Sequence, residues 1–293
     1  MKDRHDWTLP AFLLVVLFGG INIVAIRLSN RELPPLWGAA VRFLGASVVL
    51  FLLTLLKRIP LPRGAAFAGA VVYGLLAFGG GYALIYWGLL RLSAGIGSII
   101  LALTPLVTFL LALAHGIESF RLRGLIGAML GLGGILIIFG ESARSAIPMA
   151  SLIALLVATA CIAEATVMIK SLRWGHHVSF NAVAMSFGAV MLLASSAILG
   201  ERWGLPTRAP TWGTLVYFWL LGSSLQFVLY LFVLSHWSPS SISYQFVLFP
   251  LVALVLSGWL EGETLTLRLV VGASLVLLGV ALGMIRGRQV LSI

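Results

Sequence analysis

Long apolar runs separated by short polar breaks make up the pattern of the chain. A run of about 20 apolar residues is the length that a helix needs to cross the hydrocarbon core of a bilayer. Most of the charged residues fall in the breaks between these runs. The pattern predicts ten transmembrane helices, near residues 7–27, 34–56, 64–89, 94–114, 122–140, 148–169, 178–199, 211–234, 240–260 and 268–285. We therefore expect an all-α integral membrane protein.

The pattern also contains an internal repeat. Residues 93–140 align on residues 238–285 without a gap, at a shift of 145 positions. The shift pairs Ser98 with Ser243, Pro105 with Pro250, Glu118 with Glu263 and Arg123 with Arg268. Five helices per half is an odd number, so the second half should cross the membrane in the opposite sense. The sequence predicts two inverted five-helix repeats, residues 1–143 and 144–293, which open a shared site to either face in turn.

Composition and charge support a place in the membrane. Of the 293 residues, 60% are hydrophobic and 10% are charged, and the mean hydropathy is +1.09. A soluble domain of this size could not bury so much apolar surface. The net charge is +10, and alternating crossings put more Lys and Arg on the side of the N-terminus, so both termini should be cytoplasmic. No basic stretch is long enough to follow a phosphate backbone, so we expect the lipid bilayer and no nucleic acid as a partner.

Two polar residues lie deep within predicted helices. Arg42 is roughly eight residues, or about 12 Å of helix rise, inside the second helix. An arginine at that depth is costly and usually faces a partner or a wet cavity. Arg42 could bind a substrate carboxylate, or it could tie down backbone carbonyl groups. Asn22 lies at a similar depth in the first helix and could hydrogen-bond the substrate or a neighbouring helix.

Acidic residues are scarce within the predicted helices. Of the nine Asp and Glu residues, only Glu164 falls well inside one. Glu164 is therefore the candidate for a carboxylate that carries a proton. Lys170 lies six residues further along the same helix, so a salt bridge or a solvated position is an equal alternative. The scarcity of such acids favours a facilitator, which lets its solute run down a gradient.

Aromatic and amide residues are the better candidates for substrate binding. They occur in adjacent or i, i+4 pairs that share a helix face, namely Tyr82 with Tyr86, Gln226 with Tyr230, and Tyr244 with Gln245 beside Ser243, the repeat mate of Ser98. Polar tips on mostly apolar walls would form a mid-membrane cavity for a small amphipathic solute. The alternative is an interfacial belt, which we expect for Trp7, Trp37, Trp203, Trp212 and Trp259.

Prolines and glycines mark possible hinges. Pro105 and Pro250 occupy matched mid-helix positions, where kinks or half-helix junctions could serve as gating pivots or as static bends. The Gly79, Gly80 and Gly81 run permits a local break or a close backbone approach. Further glycines form small-residue faces in the fifth and tenth helices, at Gly127, Gly131, Gly134, Gly272, Gly279 and Gly283. We expect these faces to pack within a monomer.

Enzymatic motifs are missing from the sequence. It contains no G-x-S-x-G, no H-E-x-x-H and no nucleotide-binding glycine pattern, and its five histidines lack metal-ligand spacing. Cys161 is the single cysteine. We expect no catalytic residues, no metal and no cofactor. An intramembrane enzyme remains the second class of function, and a passive scaffold or channel the third.

The helix pattern and its motifs resemble those of the drug/metabolite transporter superfamily. The resemblance covers the whole chain and rests on the polar residues of the first helices, the matched prolines and an E-x-x-x-x-R turn before each Gly-rich fifth helix. The chain is similar to EamA-type exporters and looks like the YddG-type amino-acid exporters. The resemblance implies export of amino acids, aromatic ones included, across a bacterial inner membrane. Proton-driven export of other metabolites or of cationic drugs is the alternative.

Overall fold

The protein is helical throughout the part that the computed structural model describes, which is residues 7–92, 97, 100–139, 148–172, 174–261 and 267–284. Eleven helices are described: α1 Thr8–Asn30, α2 Pro35–Leu56, α3 Ala65–Gly88, α4 Thr104–Ala114, α5 Leu122–Phe139, α6 Met149–Lys170, α7 His177–Ile198, α8 Ala209–His236, α9 Pro239–Ser243, α10 Gln245–Glu261 and α11 Leu267–Met284.

Six of these helices are long and apolar enough to cross a membrane, namely α1, α2, α3, α6, α7 and α8. Each ends within three residues of the bounds that the sequence predicts. Shorter apolar helices include α4, α5 and α11. Large apolar side chains such as Leu55, Leu56 and Ile198 are exposed, as lipid-facing residues are. The structure confirms an all-helical protein with several membrane-spanning helices, whereas ten crossings stay a prediction.

Helix neighbours follow the internal repeat. Helix α1 packs on α8 and α10, and its repeat counterpart α6 packs on α3 and α4, which are the counterparts of α8 and α10. Helix α2 packs on α8, just as α7 packs on α3. Two further pairs join counterparts directly, because α2 packs on α7 and α5 packs on α11. The two halves therefore interlock, and their packing pattern repeats.

Helices α3 and α8 share a feature that the sequence analysis does not predict. Each contains a π-helical segment, at Gly74–Gly81 in α3 and at Phe218–Leu225 in α8. The two segments are 144 positions apart, close to the shift of the repeat. Gly79 lies within the first segment. A β-carbon added at Gly79 would lie 2.5 Å from the sulfur of Met191. The glycine run thus permits a close approach of α3 to α7, and the helix continues through it without a break.

The small-residue faces of α5 and α11 meet within the chain. A β-carbon added at Gly127 would lie 2.6 Å from the carbonyl oxygen of Gly279, and one added at Gly134 would lie 2.5 Å from that of Gly272. The two backbones are therefore in direct contact, as the glycine pattern predicts.

The matched prolines occupy different places in their helices. Pro105 lies in the first turn of α4, after non-helical residues 102 and 103, so its missing N–H costs no helical hydrogen bond. Pro250 lies inside α10. The prediction that Pro105 lies in the middle of a helix is therefore wrong. The turn at residues 102 and 103 does separate α4 from the helical residues 100 and 101, as a half-helix junction would. A pivot role for either proline stays a prediction.

Candidate substrate site

The side chain of Arg42 is fully buried where the two halves meet, and it crosses from α2 to α8. Its Nε donates to the hydroxyl of Ser223 over 2.8 Å, and its Nη2 donates to the carbonyl oxygen of Gly222 over 2.9 Å. Among the described residues, nothing accepts a hydrogen bond from its Nη1. Arg42 is therefore tied to a backbone carbonyl on one side and presents a free donor on the other.

The carbonyl group of Gly222 is a junction for three helices. Asn22 of α1 donates to it over 2.8 Å and to Oε1 of Gln226 over 2.6 Å. Gly222 lies in the π-helical segment of α8, where the wider turn disturbs the regular i to i+4 bonding and makes carbonyl groups more accessible to side chains. A β-carbon at Gly222 would lie 2.3 Å from Oδ1 of Asn22. Only glycine allows this approach.

Aromatic rings form a wall beside the guanidinium group. Phe43, Phe78, Tyr82 and Phe227, which we call the aromatic cluster, have neighbouring ring centroids 4.7 to 6.4 Å apart. The Arg42 guanidinium carbon is 5.1 Å from the ring centroid of Tyr82 and 4.1 Å from that of Phe218. These distances are typical of cation–π contacts, which stabilise a charge with few polar partners.

Tyr86 adds a second free donor next to Arg42. Its side chain is fully buried, and its hydroxyl lies within electrostatic reach of the guanidinium group. Arg42 is the hydrogen-bonding side chain near this hydroxyl, and no described residue forms a hydrogen bond of regular geometry with it. A buried polar group without a partner normally costs about 1–3 kcal/mol, so two such groups side by side indicate a place for a ligand. An anion, such as a carboxylate, could accept hydrogen bonds from both.

The structure brings five of the predicted binding residues together, namely Asn22, Arg42, Tyr82, Tyr86 and Gln226. Tyr230 borders this group through Phe227, with ring centroids 6.2 Å apart, and its hydroxyl pairs with that of Thr166 at 2.7 Å. Sequence reasoning missed Phe43, Phe78, Gly222, Ser223 and Phe227. Their side chains are common in any membrane helix, and only the packing of different helices sets them apart.

Tyr244 and Gln245 do not join this group in any described contact. The Tyr244 hydroxyl donates to the carbonyl oxygen of Gly124 in α5 over 3.0 Å. The side chain of Gln245 is buried, and its Oε1 has no partner among the described residues. Ser98 lies outside the described residues. For these three residues, a role in binding stays a prediction.

Glu164 pairs with a residue that the sequence does not suggest. Its Oε1 lies 3.1 Å from Nε2 of His115, and both side chains are partly exposed. The Nζ of Lys170 instead donates to the carbonyl oxygens of Leu234, over 2.6 Å, and Trp237, over 2.9 Å. A salt bridge between Glu164 and Lys170 is therefore not formed. No described contact links Glu164 to Arg42, so its role as a proton carrier stays a prediction.

Acidic side chains tie the two halves together at the helix ends. Glu118 accepts from the backbone N–H of Ser240 over 2.9 Å, accepts from its hydroxyl over 2.6 Å, and pairs with Arg121. Glu201 accepts from the backbone N–H of Trp37 over 2.8 Å. Negative charge at the start of a helix is favourable, because it meets unpaired N–H groups and the positive end of the helix dipole.

Glu32 makes a similar contact at the start of α8. It accepts from the hydroxyl of Thr207 over 2.6 Å and from the backbone N–H of Arg208 over 3.2 Å. The hydroxyls of Thr207 and Thr211 and the backbone donors lower the pKa of Glu32 to about 2, because they stabilise its charged form. In the described part of the chain, no three His, Cys, Asp or Glu residues are grouped as metal ligands would be.

A bundle of membrane-spanning helices around a buried, charged site has the architecture of a solute transporter. The family model described as the EamA-like transporter family matches this chain twice, over residues 6–140 and 149–285. The chain belongs to this family, within the drug/metabolite transporter superfamily that the sequence analysis indicates, and it is a membrane transporter and not an enzyme.

Similar proteins agree with this assignment. The chain is 28% identical over 257 residues to the inner membrane transporter YedA of Escherichia coli K12. This match covers 87% of this chain and 83% of YedA. It is 26% identical over 285 residues to the transporter YoaV of Bacillus subtilis, and the match covers 91% of this chain and 92% of YoaV. A protein of known crystal structure is 16% identical in sequence, and its fold superposes with a TM-score of 0.78 over 96% of this chain and 98% of that protein's chain. The two proteins therefore share a fold.

Proposed function

We propose that this protein exports neutral amino acids, aromatic ones included, from the cytoplasm across the bacterial inner membrane. The observation that carries the proposal is the buried guanidinium group of Arg42, with one free donor beside the Tyr86 hydroxyl and the aromatic cluster. The guanidinium group and the hydroxyl suit a carboxylate, and the aromatic cluster suits an apolar side chain. A cationic drug would meet the charge of Arg42, which disfavours the alternative substrate.

We propose further that transport occurs by alternating access through ten crossings, in a monomer with both termini cytoplasmic. Contacts at the ends of helices and in the loops beside them support this topology, because each joins chain segments predicted to share a side of the membrane. Glu32 contacts Thr207 on the predicted outer side. Glu118 contacts Ser240, and Ser179 contacts the carbonyl oxygen of Pro60, on the predicted inner side.

The contacts at the helix ends suggest how the site would open to each side. Opening towards the cytoplasm would separate Glu118 from Ser240. Opening outwards would release the contacts of Glu32 and Glu201 with the starts of α8 and α2. Both sets of contacts are formed in this structure, and the side chains of Arg42 and Tyr86 are fully buried. Because Glu32, Glu118 and Glu201 bind at helix ends and Glu164 pairs with His115, we propose a facilitative mechanism without a proton carrier beside Arg42.

Counterflow in liposomes tests the proposal. Purified protein is reconstituted with unlabelled L-phenylalanine inside, and uptake of labelled L-phenylalanine is followed with and without a pH gradient. We expect saturable uptake of the intact amino acid that does not depend on the gradient. Gradient-dependent uptake would contradict the facilitative mechanism, and a chemically altered product would indicate an enzyme.

A pair of arginine variants ties the activity to the site. Arg42→Gln removes the buried charge, whereas Arg31→Gln removes an exposed charge in the loop after α1. The loss of a charged hydrogen bond to substrate predicts that Arg42→Gln lowers counterflow by at least about tenfold at equal expression. Arg31→Gln should retain it. Equal activity of the two variants would contradict the assignment of the site.

A further inference from the structure

The charge of Arg42 has no counterion among the described residues. The four acidic side chains that the structure describes all bind elsewhere: Glu32 at the start of α8, Glu118 at Ser240, Glu164 at His115 and Glu201 at the start of α2. Within the membrane, a guanidinium group gains much from an anionic partner, because the low dielectric strengthens the attraction. The site thus favours a ligand that brings its own negative charge.

The free donors of the site lie together, whereas the acceptors beside Arg42 at Gly222 and Ser223 already take hydrogen bonds from the protein. At this site, Nη1 of Arg42 and the hydroxyl of Tyr86 are buried donors without a hydrogen bond of regular geometry to a described residue. The carbonyl oxygen of Gly222 already accepts from Asn22 and Arg42, and the Ser223 hydroxyl already accepts from Arg42. The site offers a carboxylate two donors.

A substrate ammonium group would find little support here. It carries three donors and needs several acceptors or a negative charge, and the unpartnered groups that could accept from it here are the Tyr86 hydroxyl and Oδ1 of Asn22. Oδ1 of Asn22 has no described partner, but it is pressed against the backbone of α8 at Gly222. An ammonium group would also be repelled by the guanidinium group of Arg42.

We infer that the site selects its ligand by a carboxylate and an aromatic ring and does not require an α-amino group. The inference rests on the proposed amino-acid transport and extends it to a second ligand class, the aryl-substituted monocarboxylates that lack an amine. The carboxylate accepts from Nη1 of Arg42 and from Tyr86, and the ring packs against the aromatic cluster. The retained amine of an amino acid adds neither charge pairing nor a full set of hydrogen bonds.

Four probes separate the chemical groups of the ligand: L-phenylalanine, 3-phenylpropionate, phenethylamine and propionate. Thermal stabilisation of the purified full-length protein in detergent measures binding without transport. Competition against labelled L-phenylalanine counterflow measures access to the transport site. We expect 3-phenylpropionate to bind and compete at least as well as L-phenylalanine, and phenethylamine and propionate to be weaker than L-phenylalanine by at least about tenfold.

The outcomes distinguish this inference from the proposed function. Counterflow of L-phenylalanine without competition by 3-phenylpropionate, or with equal competition by phenethylamine, would overturn the inference and leave the transport of amino acids intact. Stabilisation by 3-phenylpropionate without amino-acid counterflow would support the inference and overturn the proposed function. If none of the probes binds or is transported, both are wrong.

A conservative variant guards against a folding defect. Arg42→Gln also breaks the contacts with Gly222 and Ser223, so it could disturb the fold. Tyr86→Phe keeps the ring and removes only a hydroxyl that has no described partner. We expect Tyr86→Phe to keep or raise the thermal stability without ligand and to weaken 3-phenylpropionate and L-phenylalanine alike by about tenfold. Unchanged affinity for both ligands would overturn the role of Tyr86.

Discussion

Arg42 and Asn22 meet at one carbonyl oxygen, and this explains why a deep arginine is tolerated. The Gly222 carbonyl accepts from both side chains, so a single π-helical turn of α8 stabilises polar groups from α1 and α2. The sequence leaves open whether Arg42 is a structural tie or a ligand group. The structure places it so that Nε and Nη2 fulfil the first role, and Nη1 remains for the second.

The approach of Asn22 to Gly222 can be tested by adding one methyl group. The β-carbon of Gly222→Ala would lie 2.3 Å from Oδ1 of Asn22, so the amide must turn away and lose its hydrogen bonds to Gly222 and Gln226. We expect counterflow to fall by about tenfold, because each such hydrogen bond is worth about 1 kcal/mol. Gly213→Ala is the control in the same helix, since nothing lies within 4 Å of its β-carbon. Equal activity of the two variants would contradict the packing at Gly222.

Glu32 predicts a dependence of stability on pH. Its pKa is lowered to about 2 from an ordinary 4.5, so its contribution is present above about pH 4.5 and is lost as the pH falls towards 2. The melting temperature of the wild type should exceed that of Glu32→Gln at neutral pH, and the difference should shrink across that window. Thr207→Val, which removes one donor, should show a smaller difference from the wild type. A difference that persists undiminished near pH 2 would contradict the assignment.

At the scale of elements, the sequence predicts the long helices well and their internal irregularities poorly. The bounds of α2, Pro35–Leu56, follow from an apolar run with a proline at its start. The π-helical segments of α3 and α8 carry no such signal, because they depend on the helices that pack beside them. At Gly74, for example, an added β-carbon would lie only 2.0 Å from the carbonyl oxygen of Ala184.

The candidate site shows the same limit. Depth in a helix is enough to single out Arg42 and Asn22, because polar groups are costly in a bilayer. The i, i+4 spacing is enough to pair Tyr82 with Tyr86. It also selects residues that make their contacts elsewhere, such as Tyr244, because spacing along one helix does not state which neighbour that helix faces.

The seam between α5 and α11 gives a prediction about a pair of neighbouring glycines. A β-carbon at Gly134 would lie 2.5 Å from the backbone carbonyl of Gly272, which cannot rotate away, so Gly134→Ala must push the helices apart. We expect a loss of stability of about 1–3 kcal/mol, typical of overpacking. Gly133→Ala places its β-carbon in open space and should be neutral or slightly stabilising. Thermal unfolding in detergent measures both, and equal stabilities would contradict direct backbone contact.

For the whole molecule, the position of the site matters more than any single contact. Arg42 and Asn22 belong to the first half, and Gly222 and Gln226 belong to the second. A relative movement of the halves would therefore change the site itself, along with the contacts of Glu118 and Glu32 at the two ends. This arrangement would couple the geometry of the site to the opening of either side, as the proposed alternating access requires.

Opposite orientation of the halves is the feature on which this coupling depends, and labelling can test it. Phe120 is exposed in the loop before α5, and Leu265 is its repeat mate at the shift of 145. Cys161→Ser removes the single cysteine, and Phe120→Cys, Leu265→Cys and Leu205→Cys are then introduced one at a time. In intact cells, a membrane-impermeant thiol reagent should label positions 205 and 265, and it should label position 120 only after the membrane is opened. If positions 120 and 265 react from the same side, the two halves cross the membrane in the same sense. That result would contradict a shared site that opens to each face in turn.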